Sequence, residues 1–78
     1  MSQQPPSETQ VIALRGEFIT LAQALKVAGM AGTGGHAKIL VHNGQVTVNE
    51  AVELQPGKKL RAGDRFAVDG GPVWTIQG

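Results

Sequence analysis

The apolar residues of this chain change their period at Gly44. Before it, Leu21, Leu25 and Ala28, and then Ala37, Leu40 and Val41, recur at three- and four-residue intervals. After it, Val46 and Val48 alternate with Gln45, Thr47 and Asn49. The first spacing lays side chains along one stripe of a helix, and the second puts them on one face of a strand. Helices must therefore lie before Gly44 and strands follow it. Thr20 and Gln23 have the spacing of a capping box, and Gly29 supplies a stop, so a first helix is expected over about residues 20–29. Thr33 is placed to cap a second helix that Gly44 closes, with Met30-Ala31-Gly32 as the connection.

Strands flank this pair. Val11 to Leu14 is a short apolar run that suits a buried strand. Asn49-Glu50 reads as a tight turn, after which Val52 and Leu54 continue, and Pro56-Gly57 fits the central pair of a type II turn. Gly63-Asp64 marks another turn, Phe66 and Val68 alternate, Asp69 to Pro72 reverses the chain, and Val73 to Ile76 pairs back. The expected class is α+β, with two helices, both from the N-terminal half, packed on one face of a small, mainly antiparallel sheet. Residues 1–9 are polar, contain Pro5-Pro6 and read as a disordered tail, which leaves 10–78 as a single domain.

A 78-residue chain has room for one small core and buries only about 60% of the surface its unfolded form exposes. With no cysteine, it must hold by packing alone. Such a chain has little material for the walls of a water-excluding active site, which favours a non-catalytic binding module. Its residues agree. His36 and His42 are six apart, not one helical turn, and no carboxylate nearby completes a metal set. There is no serine from Gln10 onward and no phosphate-cradling Gly-x-x-x-x-Gly-Lys, so no cofactor is implied. The start lacks a basic-then-apolar leader, and no run approaches the roughly 18 apolar residues of a membrane span. A soluble cytoplasmic monomer without a membrane partner is expected.

The net charge of +1 announces no partner by itself, but its distribution is uneven. From Phe18 to Asn49 there is no acidic residue, while Lys26, His36, Lys38 and His42 lie there. Lys58, Lys59 and Arg61 form the densest basic cluster, in a surface loop behind the Pro56-Gly57 turn. Lys38 and His42, four apart, share one side of the second helix. Gly34-Gly35 leave the start of that helix uncluttered, where free amides attract anions beside Thr33 and His36. Close helix packing is the competing explanation for those glycines. Phe18, Phe66 and Trp74 read as core or core-edge residues rather than as base-stacking platforms.

Leu21, Leu25, Gly29, Thr33, Ala37, Leu40-Val41, Gly44, Val46, Val48, Asn49 and Gly63-Asp64 follow one pattern in order and spacing. The pattern resembles the RNA-binding domain named after ribosomal protein S-four, also called the alpha-L motif. Within it, Thr33-Gly34-Gly35-His36-Ala37-Lys38-Ile39 and Gly44-Gln45-Val46 are similar to the small stand-alone YbcJ-like subfamily. The resemblance implies a non-catalytic protein that binds structured RNA, ribosomal RNA or a ribosomal particle foremost, in ribosome biogenesis or translation. It implies contacts from Lys38, Lys58, Lys59 and Arg61, supported by Lys26, His36, His42 and the Thr33-Gly34-Gly35 turn. Three positions depart from the pattern. Gly34 stands where the broader family usually has Arg, Glu50 where it has Gly, and Gln55-Pro56-Gly57 where the subfamily often has a basic run.

Two other classes remain. A ubiquitin-like sulfur carrier also shows Val-x-Val-Asn and a late Gly-Gly, but would place a hairpin before its helix and end in a free Gly-Gly. Here Gly70-Gly71 precedes Pro72 and the chain ends Gln77-Gly78. A protein-interaction module is the third reading.

Overall fold

The computed structural model describes residues 10–78, and the tail expected over residues 1–9 lies outside the described residues. Thr20 has extended backbone, and its hydroxyl accepts the Gln23 N–H at 3.3 Å while Gln23 Oε1 accepts the Thr20 N–H at 3.2 Å. The capping box read from the sequence is therefore formed, and it starts α1, Leu21–Val27. Thr33 caps α2, Gly34–His42, by accepting the His36 N–H at 3.1 Å.

Both helices end in the same way. At α1, Met30 N donates to Leu25 O and Gly29 N to Lys26 O; at α2, Gln45 N donates to Leu40 O and Gly44 N to Val41 O. These crossed bonds need a left-handed residue past the helix, which Gly29 (φ 78°) and Gly44 (φ 75°) supply.

The strands are β1 (Val11–Ala13), β2 (Ile19–Thr20), β3 (Val46–Val48), β4 (Ala51–Val52), β5 (Lys59–Leu60), β6 (Arg65–Val68) and β7 (Val73–Gln77). Five of them form a sheet in the order β1-β7-β6-β3-β4, parallel only between β1 and β7. β2 and β5 make a separate antiparallel pair, Ile19 opposite Leu60 and Thr20 opposite Lys59. Leu21, Ala24, Leu25, Ala37 and Val41 from the helices share one core with Ile12, Val46, Val48, Phe66 and Ile76 from the sheet and Leu60 from β5. Trp74 is half-buried at its edge, stacked on Phe66 with centroids 6.4 Å apart. A helix as short as α1, seven residues, has little stability of its own and is held by this packing.

One turn and one strand differ from expectation. Residues 55–58 do turn, with Lys58 N donating to Gln55 O at 3.1 Å, but Gly57 lacks the positive φ of a type II turn. Types I and II differ in the orientation of the central peptide, and here its carbonyl, Pro56 O, accepts the Ala22 N–H at 3.0 Å. That bond selects the orientation. The left-handed glycine sits instead in the next turn, where Gly63 has φ 96° and Asp64 N donates to Arg61 O. Val52 and Leu54 do not continue a core-facing strand: both are more than half exposed, and β4 ends at Val52. Just past it, Glu53 Oε2 accepts the Gln55 N–H at 3.2 Å.

The β3–β4 turn gives a direct test of backbone strain. Asn49 (φ 51°) and Glu50 (φ 74°) are both left-handed, as a two-residue hairpin turn requires. Asn tolerates this conformation, whereas a residue such as Glu loses about 1–2 kcal/mol in it. Glu50→Gly removes the strain but adds roughly 0.5–1 kcal/mol of chain entropy to be lost on folding. A net stabilisation of about 0.5–1 kcal/mol is expected from denaturant titration; a destabilised variant would contradict the strain argument. In the core, Leu25→Ala should cost about 2–5 kcal/mol by the same measurement.

Candidate nucleic-acid interface

The densest basic segment is held in place by backbone bonds. Two of the first amides of α1 donate to it, Leu21 N to Lys58 O at 2.8 Å and Ala22 N to Pro56 O at 3.0 Å. Lys59 then enters β5 alongside β2. Because alternate residues face opposite ways, burying Leu60 completely turns Lys59 and Arg61 to the other side. The segment is thus part of a strand pair, not the free surface loop expected, although all three basic residues are exposed.

Both cations meet Phe18. The Lys59 ammonium lies 4.8 Å from the ring centroid and the Arg61 guanidinium 5.8 Å, within the range of cation–π attraction. Arg61 also donates to the Glu17 carbonyl at 3.5 Å. Phe18 is not the core or core-edge residue expected; it is a surface ring, 40% exposed. Ile19 beside it packs against the core, so alternation along the strand points Phe18 outward.

The far end of the segment is pinned by a small polar network. Asp64 accepts the Arg61 N–H at 2.8 Å and the Asn49 side-chain amide at 3.2 Å. Asn49 in turn accepts the Arg65 N–H at 3.1 Å, and its own N–H donates to Arg65 O at 2.7 Å. The Arg61 amide is the main cause holding the Asp64 carboxyl below its ordinary 3.8; partial burial opposes this, while the Asn49 bond and the charges of Lys58 and Arg61 assist.

The remaining expected residues fall on the helices. His36, Lys38 and His42 are exposed on α2, with the Thr33-Gly34-Gly35 turn at its start. Lys26, in the last turn of α1, borders a groove between that helix and the end of β1, together with Arg15 and Phe18. The structure thus gathers Lys59 and Arg61 about Phe18, with Lys58 near Asp64, while the α2 residues form a second group. Arg15 and Phe18 are not among the residues that sequence reasoning assigns to the site. Their local signal, the polar break Arg15-Gly16-Glu17 between two apolar runs, marks a loop without showing what lies across from it. Among the described residues no group of three His, Asp or Glu side chains is arranged to hold a metal.

The Asp64 geometry predicts an acid-side loss of stability. A carboxyl whose folded pKa lies below its unfolded value stabilises the fold fully above the unfolded pKa. That contribution is lost as pH falls from about 5 through the folded value. Asp64→Asn should therefore flatten the acid limb of a stability-versus-pH curve. At pH 7 it should cost about 0.5–1 kcal/mol, a modest value because the group is partly solvated. An unchanged acid limb would remove Asp64 from this role.

Comparison with known proteins bears on the family and the fold. The S4 domain family model matches residues 12–76. A Bacillus subtilis (strain 168) protein named Probable ribosome maturation protein RlbA is 37% identical over 59 residues, which span 76% of this chain and 83% of that protein. The solution structure of YbcJ from E. coli, described as having an alpha-L motif involved in RNA binding, superposes with a TM-score of 0.71 at 26% identity, covering 100% of this chain and 99% of that one. In sequence over most of its length and in the course of its backbone, this chain belongs to the S4 domain family.

Proposed function

We propose that this protein is a non-catalytic RNA-binding domain that recognises structured RNA, ribosomal RNA in the first place, and acts in the cytoplasm in ribosome maturation or translation. The observation that carries the reading is the fixed basic segment. Lys58, Lys59 and Arg61 are tied to α1 at one end and to Asp64 at the other, so little ordering is needed when they meet phosphates. The matches to RlbA and to YbcJ, one named for ribosome maturation and the other described as RNA-binding, support the class of partner. A-form RNA presents phosphates and 2′-hydroxyls rather than a readable major groove, which suits a small surface carrying charge more than base-reading groups.

The second helix carries the second basic group. Lys38 and His42 stand one turn apart, with His36 near the helix start. The amides of Gly34 and Gly35 have no acceptor among the described residues, in contrast to those of Leu21 and Ala22 on α1. A Cβ at Gly34 would meet nothing within 4 Å, so close helix packing does not explain that glycine. The unmet amides at this helix start are a place where a phosphate would be attracted. Lys26 adds charge from α1.

The carrier alternative fails on topology. β1 and β2 precede α1 but pair with β7 and β5 instead of with each other, so no hairpin comes before the helix.

Titration with a structured RNA at several salt concentrations tests the proposal. Affinity should fall with salt, with a log–log slope of about −2 to −5 if three to five phosphates are neutralised. Lys58→Ala with Lys59→Ala should reduce the slope by about two, roughly one for each phosphate left without its lysine. Lys38→Glu should weaken binding further per residue because it reverses charge on α2. Variants that remain folded and bind as wild type does would leave the basic face a solvated surface and favour a protein-interaction role.

A further inference from the structure

A groove bounded by Phe18 lies between α1 and the end of β1. Its volume is about 580 Å³, within the range of small-molecule sites. Ile12, Leu14, Ile19 and Val27 supply an apolar lining, and Phe18 adds a flat ring that remains 40% exposed. Arg15 and Lys26 also line the groove, and Lys59 and Arg61 lie against the ring. Glu17, the acid of the adjoining loop, is not among the lining residues. An apolar slot with a planar side chain, two cations in its lining and two more against that ring is complementary to a planar, apolar group flanked by anions. One unpaired nucleotide has that chemistry.

We propose that this groove seats a single unpaired nucleobase of the bound RNA against Phe18, while Arg15, Lys26, Lys59 and Arg61 meet the phosphates on either side of it. The proposal rests on the RNA-binding reading and specifies what kind of RNA the face selects. Continuity with the basic segment favours this occupant over an acidic peptide, because Lys59 and Arg61 of that segment lie against the ring that bounds the groove. A paired helix hides the faces of its bases, so the groove distinguishes a bulge or loop from uniform duplex. It takes one base and not a run, since Phe66 is buried and Trp74 is stacked on it at the core edge. Every base has a π-face, so stacking alone leaves the choice of base open. Gln23, also at the groove, has its Oε1 committed to the Thr20 N–H, which leaves its amide NH₂ to meet an acceptor on the base edge.

The test compares three hairpin RNAs of the same stem: one with a single bulged adenosine, one fully paired, and one with an abasic residue at the bulge. Anisotropy titrations at one salt concentration should show wild type preferring the bulged adenosine about tenfold over both others, as expected for one base–aromatic stack. Phe18→Leu should abolish that preference and melt near wild type. Equal wild-type affinity for all three RNAs, or a preference that survives Phe18→Leu, overturns the groove and leaves RNA binding intact. No binding to any of them overturns both. The abasic comparison needs only the wild-type protein, so it decides even where the variant unfolds. A tryptophan-bearing acidic peptide that binds through Phe18 more tightly than the bulged RNA would assign the groove to a protein partner and likewise overturn the proposal.

Discussion

Two hydrogen bonds at the start of α1 organise much of what the surface presents. A helix leaves its first amides without partners, and a buried amide without one costs about 1–3 kcal/mol. Leu21 is fully buried, and its amide is met by the carbonyl of Lys58, with Ala22 met by Pro56. These contacts bring residues 56–58 against α1, place β5 beside β2 and set the orientation of the Pro56-Gly57 peptide. The position of Lys59 and Arg61 at Phe18 follows from them. The same backbone bonds that finish the helix therefore arrange charge at the candidate interface.

Those bonds also divide the labour between the helices. The first amides of α1 are occupied by the chain itself, whereas Gly34 and Gly35 at the start of α2 have no acceptor among the described residues. Unmet amides, the feature of a helix start that attracts anions, are thus found at the first two positions of α2 and not at those of α1, although both helices begin with a threonine cap. The overall charge of +1 conceals this arrangement, because it sums over the whole chain without regard to position.

Asn49 and Gly63-Asp64, which contribute to the family pattern, act through geometry. Asn49 takes a left-handed conformation in one turn and bonds across to Asp64 and Arg65, while Gly63 takes the left-handed position of the other. Asp64 then fastens the amide of Arg61. Two turns far apart in the chain are locked together, and the basic segment ends at the lock.

Both helices, their caps and stops, and the inward faces of β3 and β6 were legible in the sequence because each depends on residues within a turn or two of chain. Thr20 finds Gln23, Thr33 finds the His36 amide, and Gly29 and Gly44 act on the preceding turn, all without reference to distant segments. The basic residues were legible as well, but only as a set of positions. What they face was not. β2 and β5 are two residues each, too short to show a period, and their sides are decided only when Ile19 and Leu60 pair and enter a common core. That pairing turns Phe18 outward, converts an expected loop into a strand, and brings Arg61 to the Glu17 carbonyl. Likewise the Pro56-Gly57 turn took the form that α1 required, not the one its residues favour alone, because an unmet helix amide outweighs a local turn preference. Local hydrogen bonding determined the elements; burial between distant segments decided which side chains meet at the surface.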